Sequence, residues 1–216
     1  MNSIKLIIFD LDGTLTDSLA DLTDATNQML AGFGRPALDC EEVRNLVGQG
    51  ARRLVERAMP DAPAGEIEKG LKVFLDYNNA HIADKTTLYP GVRETLDKLR
   101  ADGMRLAVIS NKNVLLCRRL LDLLGVGGYF ADVLGADSLP SRKPSPEPVF
   151  KLLHDFGVAP GEAVMVGDSI NDVAAGKGAG VITVGCTYGY GYADELAGAD
   201  YHVAALSDLL RLPLFD

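Results

Sequence analysis

Two aspartates separated by one leucine, Asp10 and Asp12, close the apolar run Leu6-Ile7-Ile8-Phe9 and are followed at once by Gly13 and Thr14. Alternate residues of a strand face the same side, so the two carboxylates converge on one point beyond the strand end. Gly13 lets the backbone turn sharply, and Thr14 sets a hydroxyl beside the pair. An Asx-rich turn leaving a strand accounts for one aspartate and the glycine, but not for the second aspartate and the threonine. Three more stretches carry chemically able groups. Ser110-Asn111 ends a second apolar run, where a helix cap before Val114 is by itself a sufficient reading. Lys143 precedes Pro144-Ser145-Pro146, whose prolines stiffen the backbone around a residue type that is usually a solvated surface charge. Asp168 follows Gly167 at a strand tip, and Asp172 stands four residues on, where compensation of a helix N-terminus also explains it.

The elements that must position these groups are legible from periodicity. Leu6–Phe9 is an unbroken apolar run of the kind buried on both faces of a parallel sheet. Residues 105–111, 132–135, 163–168 and 181–184 repeat the pattern, with 201–203 as an edge strand and 207–212 as a last helical turn or two. Between 17 and 84 the pattern is helical throughout. Ser18 precedes Leu19, Leu22, Met29 and Leu30 at helical spacing, and Asp39-x-x-Glu42 is a capping-box pattern opening a second helix. A third short helix stops near Pro60 and a fourth runs from about Glu66 to His81. Ser145-Pro146 reads as a further helix start, with serine as the cap and proline at the first helical position. A long helical stretch without strands is not a βα repeat, so it is expected to be a small inserted domain with its own core. The strand–helix alternation after residue 85 predicts an α/β fold, a doubly wound (Rossmann-like) parallel sheet with polar residues at the C-terminal strand ends. The expected division is a core of 1–16 and 85–216 and a helical domain of 17–84.

Composition narrows the partners. The 216 residues carry Lys+Arg 21 and Asp+Glu 30, a net charge of −9, with 47% hydrophobic residues. No basic stripe interleaved with aromatics occurs, which argues against a nucleic-acid partner. Cys40, Cys117 and Cys186 are widely spaced and form no zinc pattern, as expected of small hydrophobes in a reducing cytoplasm. His81, His154 and His202 share no ligand spacing. No apolar run reaches membrane-spanning length and the chain opens directly into a strand, so a cytoplasmic protein without membrane contact is expected.

The D-x-D-G-T segment, the Ser110 strand end, K-P-x-P at Lys143 and G-D-x-x-x-D at Gly167–Asp172 come in the order of the four motifs of the haloacid dehalogenase-like phosphohydrolases, which this chain resembles over its whole length. The resemblance implies strand order 5-4-1-2-3, with the topological switch between the Asp10 and Asp168 strands. It implies that Asp10 is a nucleophile forming an aspartyl-phosphate and Asp12 the general acid/base. Thr14, Ser110 and Asn111 would contact the transferring phosphoryl group, and Lys143 would neutralise it. Mg²⁺, a hard cation suited to oxygen ligands, would be held by the Asp10 carboxylate, the Asp12 main-chain carbonyl and Asp168. Asp172 would orient Lys143 or metal-bound water from behind.

An acid at position 12 is the superfamily's mark of phosphoryl transfer rather than dehalogenation. The helical segment resembles the type-1 cap that selects substrate, and Val47–Arg53 with Asp17-Ser18-x-x-Asp21-Leu22 looks most like phosphoglycolate phosphatases. A cap arginine, Arg52 or Arg53, would bind the second anionic end of 2-phosphoglycolate, although both also read as solvated helix charges. The expectation is a Mg²⁺-dependent phosphatase of a small phosphorylated metabolite, monomeric or homodimeric. Another small phosphomonoester or pyrophosphate hydrolase, a β-phosphoglucomutase-like phosphotransferase and a non-catalytic binder of phosphorylated metabolites are the alternatives.

Overall fold

The computed structural model describes residues 3–215. In chain order the elements are β1 (Leu6–Phe9), β2 (Thr16–Asp17), α1 (Leu19–Gly32), α2 (Cys40–Arg44), α3 (Ala51–Ala58), α4 (Ala64–Ala80), β3 (Thr87–Leu88), α5 (Val92–Ala101), β4 (Arg105–Ile109), α6 (Val114–Leu123), β5 (Asp132–Leu134), α7 (Glu147–Phe156), β6 (Ala163–Gly167), α8 (Ile170–Ala179), β7 (Ile182–Cys186), α9 (Ala193–Leu196) and β8 (Tyr201–Val203). A 3-10 turn over Leu206–Arg211 follows. The chain forms two compact units, one made of the residues up to Asp17 and from Leu88 onward, the other of Ser18–Thr87.

In the first unit a six-stranded sheet runs β5-β4-β1-β6-β7-β8, every pair parallel. Counted along this sheet, that is the expected 5-4-1-2-3 order with one strand added at the edge. Leu6, Ile7, Ile8 and Phe9 have no exposed surface, as a central strand covered on both faces requires. Fully burying a side chain of this kind contributes roughly 1.5–3 kcal/mol, so this strand is anchored firmly. On one face Leu6 and Ile8 belong to a cluster with Val149, Leu152 and Leu153 of α7 and Ala175 and Ala179 of α8. Register decides where the loops emerge. Phe9 pairs with Val108 of β4 and with Val166 of β6, so Asp10 lies level with Ile109 and Gly167. Ser110 and Asp168 each follow one residue later, at the same edge of the sheet.

In the helical unit Leu22, Ala25, Met29 and Leu30 of α1 pack with Val43, Leu54, Val55, Met59, Ile67 and Phe74. The Asp39/Glu42 capping box forms as its spacing predicts, with Glu42 N–H donating to Asp39 Oδ1 and Asp39 N–H to Glu42 Oε2, both at 2.8 Å. Buried Asp21 ties the end of this unit to its beginning. Its carboxylate accepts the Lys85 N–H at 3.0 Å, the Thr86 N–H at 2.8 Å and the Thr86 hydroxyl at 2.7 Å.

Several boundaries differ from the sequence reading. The fourth helix begins at Ala64 rather than near Glu66, because Pro63 takes the N-cap with extended backbone. The fifth core strand runs Ile182–Cys186 instead of 181–184, its end set by pairing with β8. Pro146 is the N-cap of α7 and Ser145 lies outside the helix, yet its hydroxyl still accepts the Glu147 N–H at 3.3 Å. Ser18 occupies the N-cap of α1 without a side-chain capping bond. Among the described residues no helix is long and apolar enough to cross a membrane.

Candidate active site

Lys143, from the loop between β5 and α7, stands at the centre of the site. Its ammonium lies 2.7 Å from Asp10 Oδ1 and donates to Asp172 Oδ1 at 2.6 Å and to the Ile109 carbonyl at 2.7 Å. Only 2% of the lysine side chain is exposed, against 13% of Asp10. A buried cation survives only when its protons are taken up in this way. Asn111 helps to place it, its amide donating to the Lys143 carbonyl at 2.9 Å. Asp172 is bonded on both of its oxygens. Oδ1 accepts from Lys143, while Oδ2 accepts the Ser169 N–H at 3.0 Å and the Ser169 hydroxyl at 2.7 Å, at the start of α8.

Asp168 is gripped from two sides. The Thr14 hydroxyl donates to Oδ1 and the Tyr190 N–H to Oδ2, both at 2.8 Å. The Tyr188 hydroxyl donates to the Thr14 carbonyl at 2.7 Å, so the loop after β7 and the turn after β1 lock one another. Gly13 is required here. Its φ is +88°, and a Cβ at that position would come within 2.2 Å of Asp168 Oδ2. Thr14, expected to touch the phosphoryl group, is fully buried and spends its hydroxyl on Asp168.

Carboxylate oxygens of Asp10, Asp168 and Asp172 come within 4.8 Å of one another. Burial pushes the Asp10 carboxyl up to about 8, with Asp172 and Asp168 adding to the rise and Lys143 opposing it. Burial and the Asp172 charge lift Asp168 to about 7, against the Tyr190 N–H, the Thr14 hydroxyl and Lys143. Burial alone would lower the lysine, but Asp10 and Asp172 hold it above its ordinary value, fully charged. Three carboxyls thus face one ammonium, an excess of negative charge with only oxygen donors around it.

The fourth motif carboxylate, Asp12, does not join this group. Both its oxygens accept from Lys112, at 2.7 and 2.8 Å. Sequence reading passed over Lys112 because a single lysine is usually solvated. Its position directly after Ser110-Asn111, beyond a strand end, was the available signal. The cap reading of Ser110-Asn111 gives way, since Asn113 is the N-cap of α6 and accepts the Leu115 N–H at 3.0 Å. Ser110 instead accepts the Lys112 N–H at 3.2 Å and so shapes the loop that carries this lysine. Tyr188 and Tyr190 were also missed, because nothing in their spacing marks a loop folded back on Asp168.

In the helical unit the two candidate arginines are already paired. Arg52 makes a two-pronged contact with Glu68, at 2.7 and 3.0 Å, and Arg53 contacts Glu56 at 2.9 Å. All four groups lie on the surface, where such pairs contribute little and exchange readily.

Residues 4–180 match the family model for haloacid dehalogenase-like hydrolase. The chain is 42% identical over 217 residues to the phosphoglycolate phosphatase of Chromobacterium violaceum, covering 98% of this chain and 97% of that one. It is 41% identical over 200 residues to the phosphoglycolate phosphatase of Psychrobacter arcticus, with coverage of 89% and 87%. Among solved structures, a predicted phosphoglycolate phosphatase from Haemophilus somnus superposes with a TM-score of 0.94 at 35% identity, covering 98% of each chain. A haloacid dehalogenase-superfamily hydrolase of subfamily IA from Geobacter sulfurreducens gives 0.76 at 27% identity, with coverage of 99% and 97%.

Proposed function

We propose, on the premise that this chain belongs to the haloacid dehalogenase-like hydrolases and is a phosphoric monoester hydrolase, that it converts 2-phosphoglycolate to glycolate and phosphate through an aspartyl-phosphate on Asp10. The observation that carries the chemical part is the Lys143 ammonium lodged 2.7 Å from Asp10 in a group of buried carboxylates. The substrate part rests on the relatives named phosphoglycolate phosphatase that match nearly the whole chain.

The oxygen-only donor set and its excess negative charge fit a hard divalent cation. Asp10, Asp168 and the Asp12 main-chain carbonyl would hold Mg²⁺, whose charge offsets that of the phosphoryl oxygens. Asp172 is left to Lys143 and Ser169. The ionised Asp10 attacks phosphorus and the bond to the glycolate oxygen breaks, while Asp12, which enters this step as the carboxylic acid, gives that oxygen its proton. Lys143 stabilises the charge gathering on the phosphoryl group, the larger part of catalysis in this chemistry. Water then attacks the phosphorus of the acyl phosphate, Asp12 takes its proton, and the phosphorus–Asp10 bond breaks to free phosphate and the carboxylate. One group thus serves as acid and then as base. The helical unit has the substrate-selecting role.

Phosphate release measured with and without Mg²⁺, over 2-phosphoglycolate, sugar phosphates, pyrophosphate and nucleotides, tests this reading. The expected outcome is Mg²⁺-dependent turnover with 2-phosphoglycolate preferred. Turnover undiminished by excess chelator overturns the metal assignment, and a clear preference for another ester overturns the substrate.

A further inference from the structure

We propose that Lys112 is a positioning residue for proton transfer, fixing the Asp12 carboxylate where it meets the leaving oxygen; this rests on the acid/base role given to Asp12 above. The pair is built rather than incidental. Lys112 Nζ reaches both Asp12 oxygens, at 2.7 and 2.8 Å, and the two side chains are only 8% and 13% exposed. Surface lysines are mobile because four rotatable bonds separate the charge from the backbone. Here the backbone is held at both ends. The Lys112 N–H donates to Ser110 Oγ at 3.2 Å, and its carbonyl accepts the Ala136 N–H at 2.9 Å. Gly135 permits that close approach, since a Cβ there would lie 2.7 Å from the Lys112 carbonyl and 2.3 Å from Val114 N.

Asp12 lies in the turn after β1, beyond the last sheet pairing at Phe9, with an isolated bridge to Thr16. A carboxylate on a turn swings through two side-chain torsions, whereas proton transfer demands placement within hydrogen-bond reach. A misplacement of about 1 Å can cost about a hundredfold in rate. Lys112 therefore touches neither phosphorus nor the leaving group in this role; it acts through Asp12. The consequence is selective. A poor leaving group such as an alkoxide depends on a placed proton donor, whereas 4-nitrophenolate leaves without one.

The test compares 2-phosphoglycolate with 4-nitrophenyl phosphate for the parent, D12N, K112M, K112R and D12N/K112M proteins, all with Mg²⁺. D12N should lose about 10²–10⁴ in kcat/KM, which reports phosphoenzyme formation and not its shared breakdown, on the alkyl ester and far less on the aryl ester. K112M should lose about tenfold to a hundredfold on the alkyl ester, with less than about threefold on the aryl ester. K112R should recover most of the parent ratio, and the double variant should fall no further than D12N, because the lysine acts only through that carboxylate. Should K112M be unstable, K112Q supplies the same ratio. Equal losses on both esters in K112M or K112Q, or a further alkyl-ester loss in the double variant, overturns the proposal for Lys112 alone. Equal losses in D12N overturn the acid/base reading of Asp12 and the Lys112 proposal with it.

Discussion

Replacing Asp168 by asparagine should stabilise the protein in the absence of divalent metal while destroying its response to metal. Burial and the charge of Asp172 lift the Asp168 carboxyl from 3.8 to about 7. The raised value means that the folded state holds its proton more tightly than the unfolded chain does. The stability this group contributes is therefore complete below about pH 4 and is lost as pH rises toward about 7. At about 1.36 kcal/mol for each pH unit, the loss amounts to on the order of 4 kcal/mol above that range. Asparagine removes the cost and keeps the local bonding. Its Oδ1 can accept the Tyr190 N–H and its amide can donate to the Thr14 oxygen, replacing the two contacts of 2.8 Å. With relaxation around Lys143, a gain of ~2–4 kcal/mol is expected, which for a chain of this size is a rise in Tm of about 5–10 °C. Thermal unfolding in chelator at about pH 8 and about pH 5 should show the larger gain at the higher pH. Millimolar Mg²⁺ should raise the parent's Tm by mass action and leave Asp168→Asn nearly unmoved. A variant that melts at or below the parent in chelator at about pH 8, or one that keeps the full Mg²⁺ shift, would refute the reasoning.

Asp10→Asn should give no trapped phosphoenzyme with any substrate, whereas Asp12→Asn should accumulate one from 4-nitrophenyl phosphate because its hydrolysis lacks a base; peptide mapping locates the phosphate, and label on Asp12 or Asp168 would reverse the roles. Gly13→Ala should abolish Mg²⁺-dependent phosphate release, since its methyl group would occupy the space of Asp168 Oδ2, 2.2 Å away; a variant with parent-like Mg²⁺ dependence contradicts this. Arg52→Ala should raise KM for 2-phosphoglycolate more than for a neutral alkyl phosphate, and Glu68→Gln should lower it by releasing the arginine. Equal KM changes on both substrates remove Arg52 from substrate binding. Asp39→Ala should cost the helical unit about 1 kcal/mol through loss of the capping box, read as a lowered denaturation midpoint.

The strands, the helical insertion and the candidate groups beside strand ends or a helix start are legible in the residues themselves, because they rest on local rules. Leu6–Phe9 reads as a buried strand from its unbroken apolar run, and Asp39-x-x-Glu42 as a helix start from a spacing of three. The motif residues Asp10, Ser110, Lys143 and Asp168 could be named one by one because each follows or precedes such an element. What they do to one another was decided by register and loop return, which no local pattern encodes. Thr14 reads as a hydroxyl beside the aspartate pair, but tertiary folding turns it onto Asp168. Ser110-Asn111 reads as a helix cap until Asn113 is found in that place. Lys112 and Asp12 are separated by 100 positions and meet because β1 and β4 are in parallel register, which brings their C-terminal ends to one edge. Tyr190 reaches Asp168 because the loop after β7 folds back onto the Gly13 turn, where a Cβ on Gly189 would lie 2.4 Å from the Gly13 carbonyl. Side-chain identity and short spacing name Asp10, Ser110, Lys143 and Asp168 as candidates but not Lys112, Tyr188 or Tyr190. The pairing of the site's charges, and with it their pKa values, came from contacts between residues distant in the chain, whose energies depend on burial and distance that only the folded chain sets.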